Sequence, residues 1–202
     1  MLSLRSGRRI ALAAIAAALT VAATTIPAFA QQAFSLWPGD WFAPQTPNGA
    51  EPAALINITP RLKPGQIIAS FTDRRLYYIY ARGRAISYPI ATPRPQSRWQ
   101  GVMRISQKRV NPTWTPTPSM RAENPNLPAY VPGGHPKKPL GNRTLYLGSS
   151  LYRIHGTDAP WTIGQPVSKG CIRMLNQDVA DLYRRVGVGT KVTVTWKSLY
   201  YS

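Results

Sequence analysis

The sequence predicts a mainly β, single-domain fold with one principal helix at about 176–186 and a long Pro-rich loop at 111–143. Three observations support this prediction. Short apolar runs separated by turn residues begin near Lys63, and they are typical of strands. One segment alone carries apolar residues at helical spacing. The Pro-rich loop holds too many prolines for regular structure.

The strands are predicted from runs rich in branched and aromatic residues. Asp73-Arg74 and Arg82-Gly83 lie between such runs and indicate hairpin turns. The predicted strands are 66–71, 76–80, 85–91, 101–110, 144–147, 151–155 and 191–196.

The principal helix is predicted to start at Asn176, which is a good N-cap residue. Asp178 places a negative charge in the first turn, where the helix dipole favours it. Gly187 is a suitable C-terminal stop. A core-facing stripe follows from the spacing of Val179, Leu182, Tyr183 and Val186.

The Pro-rich loop is long enough to be either functional or disordered. Trp114 and Tyr130 favour a loop that packs and forms one wall of a substrate cleft. A helical turn is expected around 119–123. His135 lies among Gly and Pro, and we interpret it as a solvated loop residue.

Residues 1–30 are predicted to be a secretory signal peptide cleaved after Ala30. A basic start precedes an apolar run, and Ala28-Phe29-Ala30 provides the small-x-small cleavage pattern. The apolar run is short for a membrane span, although an uncleaved anchor is an alternative. Arg8-Arg9 raises twin-arginine export as an alternative to the general secretory route.

The remaining chain is divided into a Pro/Ala-rich linker at 31–62, a catalytic domain at 63–197 and a C-terminal tail at 198–202. Without the signal peptide, 22 basic and seven acidic residues give a net charge of +15. Such a surface favours anionic surroundings, which include nucleic acid, acidic lipid and carboxylate-rich polymers. Export makes nucleic acid the least natural partner, and the oligomeric state is left open.

Cys171 is the only cysteine in the chain, and His155 is one of two histidines. An unpaired thiol in an exported protein indicates intermolecular pairing or a reactive site. The alternative is a buried, inert cysteine that packs as a small apolar residue. His155 could likewise be a core histidine. A single cysteine excludes Cys-rich zinc sites.

If 168–174 is extended, Cys171 and Arg173 point to one side and Ile172 points to the core. Gly170 would allow a substrate carbonyl to approach the backbone, and the N–H of Cys171 would bind an oxyanion. His155 would promote the thiolate and protonate the leaving amine. Its ring could be oriented by Asp158 or by a backbone carbonyl near Gly156.

The motifs in this region closely resemble the L,D-transpeptidase family, whose catalytic domain is of the YkuD type. The resemblance covers about 66–196. It rests on Pro139-Leu140-Gly141, His155-Gly156-Thr157, Pro160, Ile163-Gly164, the run from Ser168 to Met174, and the helix with Asp178 and Leu182-Tyr183.

The resemblance implies the family's mixed or antiparallel β-sandwich and acyl transfer on peptidoglycan stem peptides, with no metal or organic cofactor. Cys171 would attack the bond between the third stem residue and the terminal D-alanine. The thioester would pass to a second stem or to an envelope lipoprotein lysine. By the same resemblance, His155 is the base, Gly156 supplies the orienting carbonyl, and Ser168 and Gly170 shape the nucleophile loop.

Two positions depart from one widespread form of the family motif, in which a His precedes the Gly-Cys pair and an Asn lies two residues after the Cys. Lys169 and Arg173 occupy these positions. Lys169 is expected to be solvated. Arg173 would hold the nucleophile loop or bind a substrate carboxylate, and a salt bridge to a nearby acid is the alternative.

Two other functions are left open by the sequence. Water could resolve the same thioester, which would make the protein an L,D-carboxypeptidase. A peptidoglycan-binding envelope module without turnover is the alternative from another class, although it would not need both Cys171 and His155.

Overall fold

A computed structural model describes the backbone of Phe34–Ser35 and all of residues 49–199. Its secondary structure is mainly β. The strands are β1 (Phe34–Ser35), β2 (Ala54–Asn57), β3 (Ile67–Ser70), β4 (Arg75–Ala81), β5 (Arg84–Pro93), β6 (Gly101–Val110), β7 (Arg143–Leu147), β8 (Arg153–His155), β9 (Pro166–Ser168), β10 (Ile172–Met174) and β11 (Lys191–Thr195). The α-helices are α1 (Pro118–Glu123) and α2 (Asn176–Arg185), and single 3₁₀ turns occupy Pro95–Ser97 and Pro160–Thr162.

The strands form a sheet that closes on itself. Neighbours run β5-β10-β8-β7-β6-β11-β3-β4, and β4 pairs again with β5. The β10–β8, β11–β3 and β5–β9 pairs are parallel, whereas the other pairs are antiparallel. The mixed β-sandwich that the resemblance implies is therefore confirmed.

The two longest strands join the halves of the sandwich. The first half of β5 pairs with β2 and β4, and its second half pairs with β10 and β9. Similarly, β6 pairs with β11 through its start and with β7 through its end. Each strand therefore crosses from one layer to the other, which closes the sheet around one main core.

The core is built from the inward side chains of these strands and from one face of α2. Ile67, Ile90 and Leu145 are completely buried, as are Val179 and Leu182 on the helix. Tyr183 packs at the edge of the same cluster. The predicted apolar stripe of the helix is confirmed, and it fixes α2 against β7 and β8.

Most predicted elements are confirmed, with β6 matching the predicted bounds and the helix ending at Arg185. The two predicted turns lie between β3 and β4 and between β4 and β5, with Arg74 at φ 53° and Gly83 at φ 74°. In the Pro-rich loop, α1 occupies the expected helical turn. His135 is exposed, as expected.

The predicted linker is wrong in part. Ala54–Asn57 form β2, which pairs with the start of β5 and buries Ala54. A short apolar run was enough for a strand despite the prolines on either side. The signal peptide 1–30, most of 31–48 and the end of the tail at 200–202 lie outside the described residues. Within 49–199, no helix is long and apolar enough to cross a membrane.

The segment 168–174, which the sequence analysis considered as an extended segment, is not one continuous strand. β9 ends at Ser168 and β10 starts at Ile172, with a turn between them in which Gly170 has φ 123°. Both strands pair with β5. The chain must therefore leave β5 and return to it, and the turn that results carries Cys171.

Candidate active site

A cavity of about 750 Å³ contains both Cys171 and His155. The Pro-rich loop forms one wall through residues such as Trp114 and Leu127, as predicted. Tyr130, the other aromatic residue behind that prediction, is 60% exposed and does not line the cavity. The opposite wall comes from β8 and from the segment between β9 and β10. The full lining is Trp114, Thr115, Thr117, Ser119, Met120, Glu123, Asn124, Leu127, Pro139, Leu140, Ser150, Leu151, Tyr152, Arg153, His155, Val167, Ser168, Lys169, Cys171 and Arg173.

Cys171 lies at the end of the turn, immediately before β10. It is a free thiol of intermediate exposure, and its Sγ lies 3.7 Å from the carbonyl oxygen of Leu151. Ile172 is completely buried, whereas Cys171 and Arg173 both face the cavity. The predicted division between core-facing and site-facing residues is thus confirmed, although the segment is not fully extended.

Short-range hydrogen bonds hold this turn. The hydroxyl of Ser168 donates to the carbonyl of Cys171 and accepts the N–H of Gly170 at 3.4 Å. The indole N–H of Trp99 donates to the carbonyl of Gly170 at 2.8 Å. Ser168 and Gly170 therefore shape the turn that carries Cys171. Trp99 was not identified from the sequence, because it lies 71 positions away from Gly170.

His155 ends β8 and is 4% exposed. Parallel pairing of β8 with β10 sets His155 opposite Arg173. Its Nδ1 lies 2.5 Å from the carbonyl oxygen of Gly156. A carbonyl only accepts, so Nδ1 carries the proton and Nε2 keeps its lone pair. Of the two predicted orienting groups, the structure therefore favours the Gly156 carbonyl over Asp158.

Burial lowers the pKa of His155 to about 3, and the Gly156 carbonyl opposes that shift only in part. The positive charges of Arg173 and Arg153 lower the pKa further. The resting imidazole is consequently neutral at pH 7. Burial also raises the pKa of the Cys171 thiol, so a thiol and a neutral imidazole line the same cavity in the resting state.

Asn176 is not the N-cap, contrary to the prediction. It is the first residue of α2, and Leu175 precedes the helix without a side-chain cap. The Asn176 side chain instead accepts the N–H of Asn142 at 3.1 Å and donates to the carbonyl of Thr157 at 2.9 Å. It therefore ties the helix start to the segment that follows His155.

Glycines make room for this amide. A Cβ on Gly156 would lie 2.1 Å from the Asn176 side-chain oxygen, and a Cβ on Gly141 would meet the same atom at the same distance. Gly156 thus has two roles, since its carbonyl orients His155 and its missing side chain admits Asn176. The sequence indicated only the first of these.

Arg173 lines the cavity, and none of the described residues forms an ion pair with it. The predicted alternative of a salt bridge is wrong for this part of the chain. Asp158 acts on Arg173 only through longer-range attraction. Burial lowers the pKa of the guanidinium, as expected of a cation without a direct counter-ion.

Lys169 forms an ion pair with Glu123, contrary to the prediction of a solvated side chain. Glu123 is the last residue of α1, and it also lies 3.7 Å from Arg94. Both Lys169 and Glu123 line the cavity. The ion pair therefore connects the turn that carries Cys171 to the Pro-rich loop across the cavity.

Arg153 is a further site residue that the sequence did not indicate. It lies on β8 beside the turn that carries Cys171, and it lines the cavity with Cys171. Its guanidinium packs over the ring of Tyr146, 5.1 Å from the centroid. Neither the composition nor a motif indicates this position, because strand pairing is what brings Arg153 close to Cys171.

Among residues 49–199, no group of three or more His, Cys, Asp or Glu side chains is arranged to hold a metal ion. The polar groups of the cavity include a thiol, an imidazole and cationic side chains, together with the Glu123 carboxylate and several hydroxyl groups. Such a set suits nucleophilic attack and the binding of carboxylates.

Comparison with known proteins identifies relatives along most of the chain. The probable L,D-transpeptidase ErfK/SrfK of Escherichia coli K12 is 38% identical over 148 residues, which are 67% of this chain and 46% of the relative. The probable L,D-transpeptidase YbiS of the same strain is 40% identical over 134 residues, covering 62% and 43%. The chain therefore spans less than half the length of either relative.

A solved structure shows the same fold. The catalytic domain of the E. faecium L,D-transpeptidase, determined by NMR in a form acylated by ertapenem, superposes with a TM-score of 0.50 at 20% identity. The match covers 67% of this chain and 99% of that domain.

The family model of the L,D-transpeptidase catalytic domain, YkuD, matches residues 64–194, which are well over half of the chain. This range contains Cys171, His155, the strands from β3 to β10 and all but the last residue of β11. The chain belongs to the L,D-transpeptidase family.

Proposed function

We propose that this protein is a peptidoglycan L,D-transpeptidase that uses Cys171 as its nucleophile. The observation that carries the proposal is the joint placement of Cys171 and His155 in one cavity, with the imidazole tautomer fixed by the Gly156 carbonyl. Family membership supports the reaction class.

In the first half-reaction, Nε2 of His155 takes the thiol proton as Sγ attacks the carbonyl carbon of the third stem residue. The N–H of Cys171 is the proposed donor to the tetrahedral oxyanion. The C–N bond to D-alanine then breaks, and the imidazolium returns its proton to the departing amine. The product is a thioester on Cys171 and free D-alanine.

In the second half-reaction, an amine attacks the thioester and His155 takes its proton. The new amide forms as the C–S bond breaks, and the thiolate is reprotonated. The amine of a second stem gives a cross-link, whereas a lipoprotein lysine gives covalent anchoring. Water gives an L,D-carboxypeptidase, which is the second candidate because it needs the same thioester.

Arg173 is the proposed carboxylate-binding group of the site. It lines the cavity without an ion-pair partner among the described residues, and a guanidinium suits bidentate contact with a carboxylate. A stem peptide would supply that carboxylate. The location of the reaction is proposed to be the periplasm or cell envelope, which the basic and apolar pattern of residues 1–30 supports.

Acylation of Cys171 by a carbapenem tests the nucleophile, since ertapenem acylates the catalytic domain of the E. faecium relative. Intact-mass spectrometry is expected to detect one adduct on the wild type and none on Cys171→Ser. His155→Gln should slow acylation at least about 100-fold, in line with the loss of a general base. A wild type that forms no Cys171-dependent adduct would overturn the proposal.

Purified tetrapeptide muropeptides separate the two candidate reactions. Cross-linked dimers with release of D-alanine indicate the transpeptidase, and tripeptide monomers alone indicate the carboxypeptidase. Release of neither product by a protein that is acylated by carbapenem would indicate that the substrate is wrong.

A further inference from the structure

We propose that Arg153 is a charge partner that stabilises the thiolate of Cys171, in addition to the imidazolium that His155 becomes when it takes the thiol proton. The inference takes Cys171 as the nucleophile of the proposed function. It assigns a role to a side chain that no motif identifies.

The first support is geometric. The parallel register pairs Ile172 with Ile154, which brings the start of β10 beside Arg153 on β8. Both side chains contact the carbonyl oxygen of Leu151: Nη1 of Arg153 donates to it at 2.9 Å, and Sγ of Cys171 lies 3.7 Å from it. Guanidinium and sulfur therefore meet at one oxygen atom.

The guanidinium is also held in place before the thiol ionises. Tyr146 packs against one face of it, and the Leu151 carbonyl fixes one N–H. A charge held in a fixed orientation needs little rearrangement when a negative charge forms beside it.

One donor of Arg153 lacks an acceptor. Its Nε is buried, and no described residue accepts a hydrogen bond from it. Buried donors are rarely left in this state, since each one costs free energy. A thiolate beside the guanidinium would supply the missing negative charge.

The other charged groups near the thiol are less suited to this role. Lys169 and Glu123 pair with each other, and burial keeps His155 neutral. Arg173 acts on Cys171 through charge alone. By contrast, Arg153 acts through its charge and through hydrogen bonds from its backbone and side chain, all of which lower the pKa of Cys171 against the larger effect of burial.

The pH profile of alkylation by iodoacetamide tests the inference without any peptidoglycan. The thiolate displaces iodide to form an S–C bond, so the rate follows the fraction of thiolate. Arg153→Leu is expected to move the midpoint upward by about one pH unit and to slow alkylation about tenfold at pH 7, the lower end of the effect of an adjacent charge. Arg153→Lys should restore at least half of the shift.

Arg184→Leu is the matched control, because its side chain is 69% exposed on α2 and does not line the cavity. Its midpoint should equal that of the wild type. Circular dichroism checks that each variant is folded. If Arg153→Leu does not fold, Arg153→Gln is used in its place. An Arg153 variant that is folded and has an unchanged midpoint overturns the inference. A shifted midpoint in a protein that transfers no acyl group would count against the proposed function alone.

Discussion

Trp99 lies flat against Tyr152, with ring centroids 4.3 Å apart and planes within 6° of parallel. The same indole donates its N–H to the carbonyl of Gly170, and the ring of Tyr152 covers the side of Gly170 where a side chain would project. The stacked pair therefore acts as a template that sets the backbone one residue before Cys171.

Gly170→Ala tests this template. The new Cβ would lie 2.6 Å from Cε1 of Tyr152, and φ 123° is a conformation that favours glycine. We expect at least about tenfold slower acylation of Cys171 by a carbapenem, measured by intact mass, because the turn must shift. Gly148→Ala is the control, since it has a positive φ of 56° but open space around it. Equal losses in both variants would argue against the template.

Substitution of His155 should change how stability depends on pH. Its pKa of about 3 lies below the usual value of 6.5, so the unfolded chain binds a proton that the native protein does not. Stability from this group is present above about pH 6.5 and is lost as pH falls toward 3. When the pH is lowered from 7.5 to 5, the free energy of unfolding of His155→Gln should rise relative to that of the wild type by on the order of 1–2 kcal/mol. Urea unfolding at both pH values measures this, and a constant difference would contradict it.

Asp178 should show the opposite dependence on pH. It is buried, and burial raises the pKa of its carboxyl to about 7, although the charge of Arg75 opposes the shift. The unfolded chain loses this proton at lower pH, so Asp178 costs stability as pH rises from about 4 to 7. The melting temperature of Asp178→Asn relative to wild type should rise by at least about 3 °C between pH 4 and pH 8.

Asp181 provides the control for that measurement. It bonds Arg185 and Tyr88, and the net effect is a lowered pKa although burial alone would raise it. The melting temperature of Asp181→Asn relative to wild type should therefore fall as pH rises through the acid range. If both variants move in the same direction, the difference between the two carboxyl environments is not the cause.

The ion pair between Glu123 and Lys169 is expected to restrict entry to the cavity. Glu123→Gln should raise the ratio of Cys171 alkylation by a bulky maleimide to alkylation by iodoacetamide about two- to fivefold, within the range of a surface ion pair. The ratio removes effects on the thiolate itself. In a protein that already carries Glu123→Gln, the further change Lys169→Ala should raise the maleimide-to-iodoacetamide ratio only slightly. Fully additive effects would show that the two side chains act separately.

Local patterns predicted most of the fold. The strand of Gly101–Val110 and the apolar face of α2 depend on side-chain periodicity, which is readable over ten residues. The motifs led to Cys171 and His155, which the structure places in the lining of one cavity. Asn176 was wrongly predicted to cap α2. Its side-chain amide instead bonds the N–H of Asn142 and the carbonyl of Thr157, which only the tertiary structure brings close.

The missed residues share one physical cause. Lys169 and Glu123 are 46 positions apart, and Arg153 reaches Cys171 only through the parallel pairing of two strands. At such separations in the sequence, the pattern of surface charges does not indicate which residue a charged side chain will contact. β2 was missed for a related reason, since an apolar run of three residues becomes a strand only when β5 offers it an edge.

Closure of the sheet has a consequence for how the enzyme comes into being. β3 near the start of the domain must pair with β11 at its end, with Ile67 beside Val192. Such a distant pairing is slow to form, because the loop between the partners loses entropy before any contact compensates. A chain released before β11 is synthesised would lack the closing strand. Because β10 and β11 belong to the same closed sheet, we expect the cavity that Cys171 lines to form only when the domain is complete.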